Sequence, residues 1–127
     1  MPERSEKAEE RLCDQLIAKL GGQIVHFSHP GRTMQTPGIP DRRYRLYGVA
    51  FWWEVKKASG RLTKDQVAFL TAELNHGAYA GCGNLDELVR YASALRTDKA
   101  GTHPVGYLLV EKWSRTPAQR RPTTEAR

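Results

Sequence analysis

Between Ser5 and Leu20 the apolar side chains fall at Leu12, Leu16, Ile17 and Leu20, with Ala8 and Cys13 beside them and mostly charged residues elsewhere. That spacing predicts one amphipathic helix with a single buried stripe, stopped by Gly21 and Gly22. Gln23 to Ser28 reads as a short strand, and His29 to Pro40, holding Pro30, Gly31, Pro37, Gly38 and Pro40, as an irregular loop. A loop of this length inside a compact domain is commonly functional. Arg43 to Tyr47 and Ala50 to Lys57 predict an antiparallel hairpin turning near Gly48. In its second strand a period of two sets Phe51, Trp53 and Val55 on one face, for the core, and Trp52, Glu54 and Lys56 on the other.

Thr63 and Gln66 form a capping-box pattern, and Leu62 and Val67 stand at hydrophobic-staple positions, so a second helix begins here and continues through Leu70 and Leu74. After His76 and Gly77, Ala78 to Cys82 predicts a strand of small residues, followed by a third helix from Asn84 as cap to Leu95. Thr97 to Pro104 reads as a loop and Val105 to Trp113 as a final strand. The expected order is helix, three strands, helix, strand, helix, strand: an α/β fold, or α+β by some criteria, with a mixed central sheet between helices.

The chain has 127 residues, enough for one domain, expected over 1–113. The basic stretch from Ser114 to Arg127 contains four Arg, two Pro and no large apolar residue, which predicts a disordered tail. With 39% hydrophobic and 27% charged residues the chain is too apolar for wholesale disorder and too polar for a membrane protein. Its longest apolar run, Val49 to Trp53, falls far short of the roughly 18 residues of a membrane span. Met1 to Glu10 is highly charged, and no secretory leader's apolar stretch follows it. The expected location is cytoplasmic. Cys13 and Cys82 lie in no CxxC or Cys/His pattern and are expected to be buried free thiols. The histidines, of which His26 and His29 come closest to a spaced pair, predict no metal site.

Charge changes this picture. The net charge is +6, and the window from Arg32 to Lys64 holds eight basic residues (Arg32, Arg42, Arg43, Arg45, Lys56, Lys57, Arg61, Lys64) against two acids, Asp41 and Glu54. Such a window suits an anionic partner. Its two acids have a use of their own. A metal-dependent phosphodiesterase needs oxygen ligands for a hard divalent cation, a cation near the attacked phosphate and a basic surface for the substrate backbone. Asp41 follows Pro40 at the end of the Gly/Pro loop, and Glu54 and Lys56 share one strand face roughly 6 to 7 Å apart. A metal between Asp41 and Glu54, with the Val55 carbonyl as a further ligand, would lie beside the Lys56 ammonium.

The ordered set GIPD at 38–41, WWEVKK at 52–57 and GRLTKDQ at 60–66 resembles the PD-(D/E)XK nuclease superfamily. Within it the chain resembles the virus-type replication and repair nucleases (VRR-NUC), relatives of archaeal Holliday junction resolvases, over about Glu6 to Leu95. The resemblance implies a restriction-endonuclease-like core and assigns Asp41 and Glu54 to the metal, Lys56 to catalysis and Gln66 to the position of a supporting glutamine. Gln66 serves equally well as a simple capping residue. The resemblance also calls for a first-helix glutamate, which counting back from Gly21 puts at Glu10, with Glu6 and Glu9 as rivals. The implied activity is Mg²⁺- or Mn²⁺-dependent DNA cleavage, foremost of four-way junctions, without an organic cofactor. Flap or general duplex cleavage and a non-catalytic DNA-binding module are the alternatives. Because a four-way junction has two-fold symmetry, junction cleavage further implies a homodimer.

Overall fold

The computed structural model describes residues 2–25, 36–40 and 42–120. Helix α1 (Glu6–Lys19) starts where expected, with the Ser5 hydroxyl accepting from the Ala8 amide, and buries Glu9, Cys13 and Ile17. Strand β1 (Gln23–Val25) pairs antiparallel with β2 (Arg42–Leu46), which pairs antiparallel with β3 (Val49–Val55). The β2–β3 turn places Tyr47 and Gly48 at φ 52° and 80°. Two successive positive φ values give a hairpin turn whose twist matches its strands. Helix α2 (Lys64–Asn75) crosses over to β4 (Tyr79–Gly83), which lies parallel to β3 at the end of the four-stranded sheet. The result is a mixed α/β architecture. Residues 26–28 of the expected first strand lie outside the described residues.

The two sheet faces separate as the period of two requires. Tyr44, Leu46, Phe51 and Trp53 are buried with Cys13 and Ile17 of α1 and with Leu88, Tyr91 and Leu95 of α3 (Leu85–Thr97). Phe51 and Trp53 meet edge to face at 6.2 Å, and each contacts the Tyr91 ring. On the other face Trp52 meets Phe69 of α2 edge to face and donates its indole N–H to Glu73.

The expected final strand is a helix, α4 (Lys99–Trp113). Its β-branched and aromatic residues suggested a strand, and Gly101 and Pro104 suggested a preceding loop. Burial settles the period: Thr102, Gly106, Leu109, Val110 and Trp113 are buried, a spacing of three and four, while Leu108 is 63% exposed. Asp98 caps the helix by accepting from the Gly101 amide, and Pro104 lies inside it, close to the start. Helix α4 packs along β4 between α2 and α3, covering a sheet edge that would otherwise be open. Gly106 makes this approach possible, because a Cβ there would lie 2.2 Å from the Ala80 carbonyl oxygen and 2.8 Å from Leu74 Cδ2. Gly106→Ala should therefore destabilise the fold by about 1–3 kcal/mol, outweighing the helix propensity that alanine adds. Urea unfolding checks this, and a stabilised variant would contradict the packing.

The tail also departs from expectation. Residues 117–120 form a short helix, α5 (Pro117–Arg120), tied back to the domain by Arg120, whose guanidinium stacks on the buried Trp113 ring. Low apolar content misled here, since the anchor is a stacked cation with hydrogen bonds. Residues 121–127 lie outside the described residues. No helix among the described residues is long and apolar enough to cross a membrane.

Candidate active site

Strand β3 delivers Glu54 to the α2 side of the sheet, and the chain leaves the ladder just after it, where the Lys56 amide donates to the Gly83 carbonyl. Both side chains are about nine-tenths buried, and Lys56 Nζ lies 3.7 Å from Glu54 Oε2. A buried carboxylate without such compensation would be costly. Val55, between them, is buried as well.

Gln66 caps α2 and also touches Glu54. Its side-chain oxygen accepts from the Thr63 amide at 2.9 Å while the Thr63 hydroxyl accepts from the Gln66 amide, completing the capping box. Its side-chain NH₂ donates to Glu54 Oε2 at 3.1 Å. The two bonds fix the amide's orientation, since the Thr63 N–H needs an acceptor and the carboxylate a donor. The start of α2 is thereby joined to the carboxylate of β3.

The end of the Gly/Pro loop reaches the same place. Gly38, at φ 79°, lies so close to the first turn of α2 that a Cβ would be 2.2 Å from the Asp65 carbonyl oxygen. Pro40 is fully buried, and Arg42 is paired with Trp53, the residue before Glu54. Asp41 itself, like Arg32, lies outside the described residues.

The first-helix glutamates sit on the opposite layer. Glu10 is 3.9 Å from the Arg42 guanidinium, and neighbouring Asp14 accepts from both Arg42 Nε and the Tyr44 hydroxyl. Of the three candidates Glu9 is the buried one. It accepts from the Leu85 amide at the start of α3 and from Arg4, which ties α1 to α3. Burial lowers the Arg42 pKa, but the hydrogen bond and charge of Asp14 outweigh it, and the net shift is upward. Burial and then the Asp14 hydrogen bond push the Tyr44 phenol up. Burial pushes the Cys13 thiol up to about 12 and Cys82 well above its ordinary value, which keeps both in the thiol form at neutral pH.

The basic residues divide by environment. Arg42 is held by α1, whereas Arg43, on the other face, stacks over the Trp52 ring at 4.5 Å. Arg45, Lys57, Arg61 and Lys64 are exposed. Lys57 and Arg61 lie in the β3–α2 connection and Lys64 opens α2, and Arg61 Nε donates to the Ser114 carbonyl. Among the described residues no three His, Cys, Asp or Glu side chains converge to hold a metal. His76 and His103 have ring nitrogens against the carbonyls of Ala72 and Leu74, and His26 and His29 lie outside the described residues.

Sequence reasoning missed several polar contacts. Glu87, buried in α3, pairs with Lys112 of α4 and accepts from the Trp113 indole. The C-terminal Arg120 donates to the Ala58 and Gly60 carbonyls, beside Lys56. These partners lie 25 to 62 residues apart with no local spacing that would betray them. No protein-family model, curated protein or solved structure matches this chain.

Proposed function

We propose that this protein is a divalent-metal-dependent DNA endonuclease whose site is built from Asp41, Glu54, Lys56 and Gln66. The observation that carries the reading is the nearly buried Glu54–Lys56 pair, with Glu54 held by Gln66, beside an exposed basic connection. Buried charges set in such a pair are a recurrent mark of a functional site. The element order α1, β1–β3, α2, β4 supports a restriction-endonuclease-like core, with α4 in place of the expected last strand.

Glu54, the Val55 carbonyl and Asp41 are oxygen donors of the kind that Mg²⁺ or Mn²⁺ takes. Such an ion supplies positive charge at the phosphate and an acidified water. Gln66 keeps the Glu54 carboxylate in one orientation. Lys56 presents an ammonium to the charge that develops on the phosphate oxygens, where a fixed cation in a poorly hydrated setting is most effective. Lys57, Arg61, Lys64 and Arg45 bind the DNA backbone and set its salt dependence.

A four-way junction is the proposed substrate, with paired cuts made by a homodimer. The test is a panel of labelled junction, flap, nicked and linear DNAs incubated with Mg²⁺ or Mn²⁺, with sedimentation in parallel. Paired symmetric cuts in the junction by a dimer are expected. Nicked junctions accumulating under a monomer would move the assignment to flap or general cleavage. Binding without cleavage of any DNA would leave a DNA-binding module.

A further inference from the structure

The connection between β3 and α2 follows directly on Lys56 and carries Lys57 and Arg61, yet it makes little structure of its own. Within residues 57–62 the backbone contributes one internal bond, from the Gly60 amide to the Lys57 carbonyl at 2.8 Å. Its other anchors come from the two ends of the chain. Glu3 accepts from the Ser59 amide and hydroxyl at 2.9 and 2.6 Å. The Trp113 carbonyl accepts from the Leu62 amide at 2.9 Å, and the Ser114 carbonyl accepts from Arg61 Nε at 3.0 Å.

Arg120 completes the set. Its guanidinium lies 4.2 Å from the centre of the Trp113 ring, which is 3% exposed, and fans out to three carbonyls. Nη2 donates to Ala58 at 2.8 Å, and Nη1 to Gly60 at 3.1 Å and Arg115 at 2.6 Å. A planar cation with several fixed donors suits this task, because the Trp113 face sets its plane and the plane sets the hydrogen-bond directions.

Gly60 links this clamp to the chemistry. A Cβ on Gly60 would lie 3.0 Å from the Lys57 carbonyl oxygen and 3.4 Å from both Cβ and Cδ of Lys56, so the Gly60 backbone passes alongside the Lys56 stem. A carbonyl released at Gly60 would let that backbone move away from a side chain whose ammonium must stay near Glu54.

We infer that Arg120 is a positioning residue: stacked on Trp113, it holds the Ala58–Gly60 backbone against the Lys56 stem and so fixes where the Lys56 ammonium sits. The catalytic part of this assignment rests on the nuclease reading; the structural part does not. The C-terminal segment is then part of the site's support.

The test uses the full-length protein with Arg120→Ala and Arg120→Lys, after circular dichroism shows that both are folded. Hydrogen exchange reads the loop without reference to activity. In Arg120→Ala the Gly60 and Leu62 amides should exchange about tenfold faster or more, as expected for losing hydrogen bonds from a charged donor, with β2 and α1 unchanged. Arg120→Lys keeps the charge but not the planar fork and should restore only part of that protection. In Mg²⁺-dependent cleavage kcat should fall about tenfold in Arg120→Ala, with KM for DNA changed less than about twofold. Wild-type exchange at Gly60 and Leu62 in Arg120→Ala would overturn the clamp, whatever happens to cleavage. Faster exchange with unchanged kcat would overturn the role toward Lys56. A wild-type protein that cleaves no DNA would refute the nuclease reading, while the exchange arm still decides whether Arg120 holds the loop.

Discussion

Glu54→Gln and Lys56→Met should each slow DNA cleavage by about 10³-fold while leaving DNA affinity within about threefold of wild type. The glutamine keeps the size of Glu54 and an oxygen that can accept from Gln66, but it removes the charge that a divalent ion and Lys56 require. The methionine keeps a stem to lie under Gly60 and removes only the ammonium. On the proposed reading both losses fall on charge that matters in the transition state, and Lys57, Arg61 and Lys64, which are exposed and proposed to hold the DNA backbone, are untouched. Single-turnover cleavage and a binding titration at fixed salt separate the two effects. Either variant cutting at the wild-type rate would remove that residue from the site. Because Glu54 and Lys56 compensate each other in a buried setting, thermal melts should accompany the assay.

Trp53→Ala should cost about 3–5 kcal/mol of stability and lower the melting temperature by roughly 10 °C or more. Trp53 is fully buried, contacts Phe51 and Tyr91, and lies against Gly81 of β4, where a Cβ would come within 2.6 Å of its ring. Deleting the indole opens a cavity between the sheet and α3 that the parallel β3–β4 pair cannot collapse to fill. Trp53→Phe should cost much less, because the indole N–H has no partner among the described residues and its removal relieves a buried unsatisfied donor. Urea unfolding ranks the pair, and equal losses would show that the cost is not set by the cavity.

Elements whose cues are local were legible in the sequence. Thr63 with Gln66, and Asn84, act as the caps that their spacing implies, and alternation along 51–54 puts Phe51 and Trp53 in the core and Trp52 and Glu54 on the α2 face. Helix α4 was not legible because VGYLLV favours extended structure by residue type. A local cue, the Asp98 cap three residues before Gly101, was overridden in that reading, and the tertiary fit of Gly106 against β4 adds the rest. The C-terminal anchor was hidden for a similar reason, since a low apolar count says nothing about one arginine stacked on a distant tryptophan. For the site the sequence offered Asp41, Glu54, Lys56, Gln66 and a first-helix glutamate: Lys56 and Gln66 do meet Glu54, Glu10 lies by Arg42 instead, and Asp41 is outside the described residues. The sequence also grouped Arg42, Arg43 and Arg45 as one basic run. The pleat divides them between a helix-bound ion pair, a ring-stacked cation and an exposed side chain.

The central claim, that the Glu54 and Lys56 site cleaves phosphodiesters with a divalent ion, is met most directly by single-turnover incubation of wild-type protein with an end-labelled four-way junction. Mg²⁺ and an EDTA control are run side by side at a salt concentration where binding is saturated. The account predicts discrete cleavage products with Mg²⁺, none with EDTA, and cleavage restored when excess Mg²⁺ is added back. A junction that stays bound and intact under all three conditions, and again with Mn²⁺, with flap, nicked and linear DNAs left equally uncut, would contradict it.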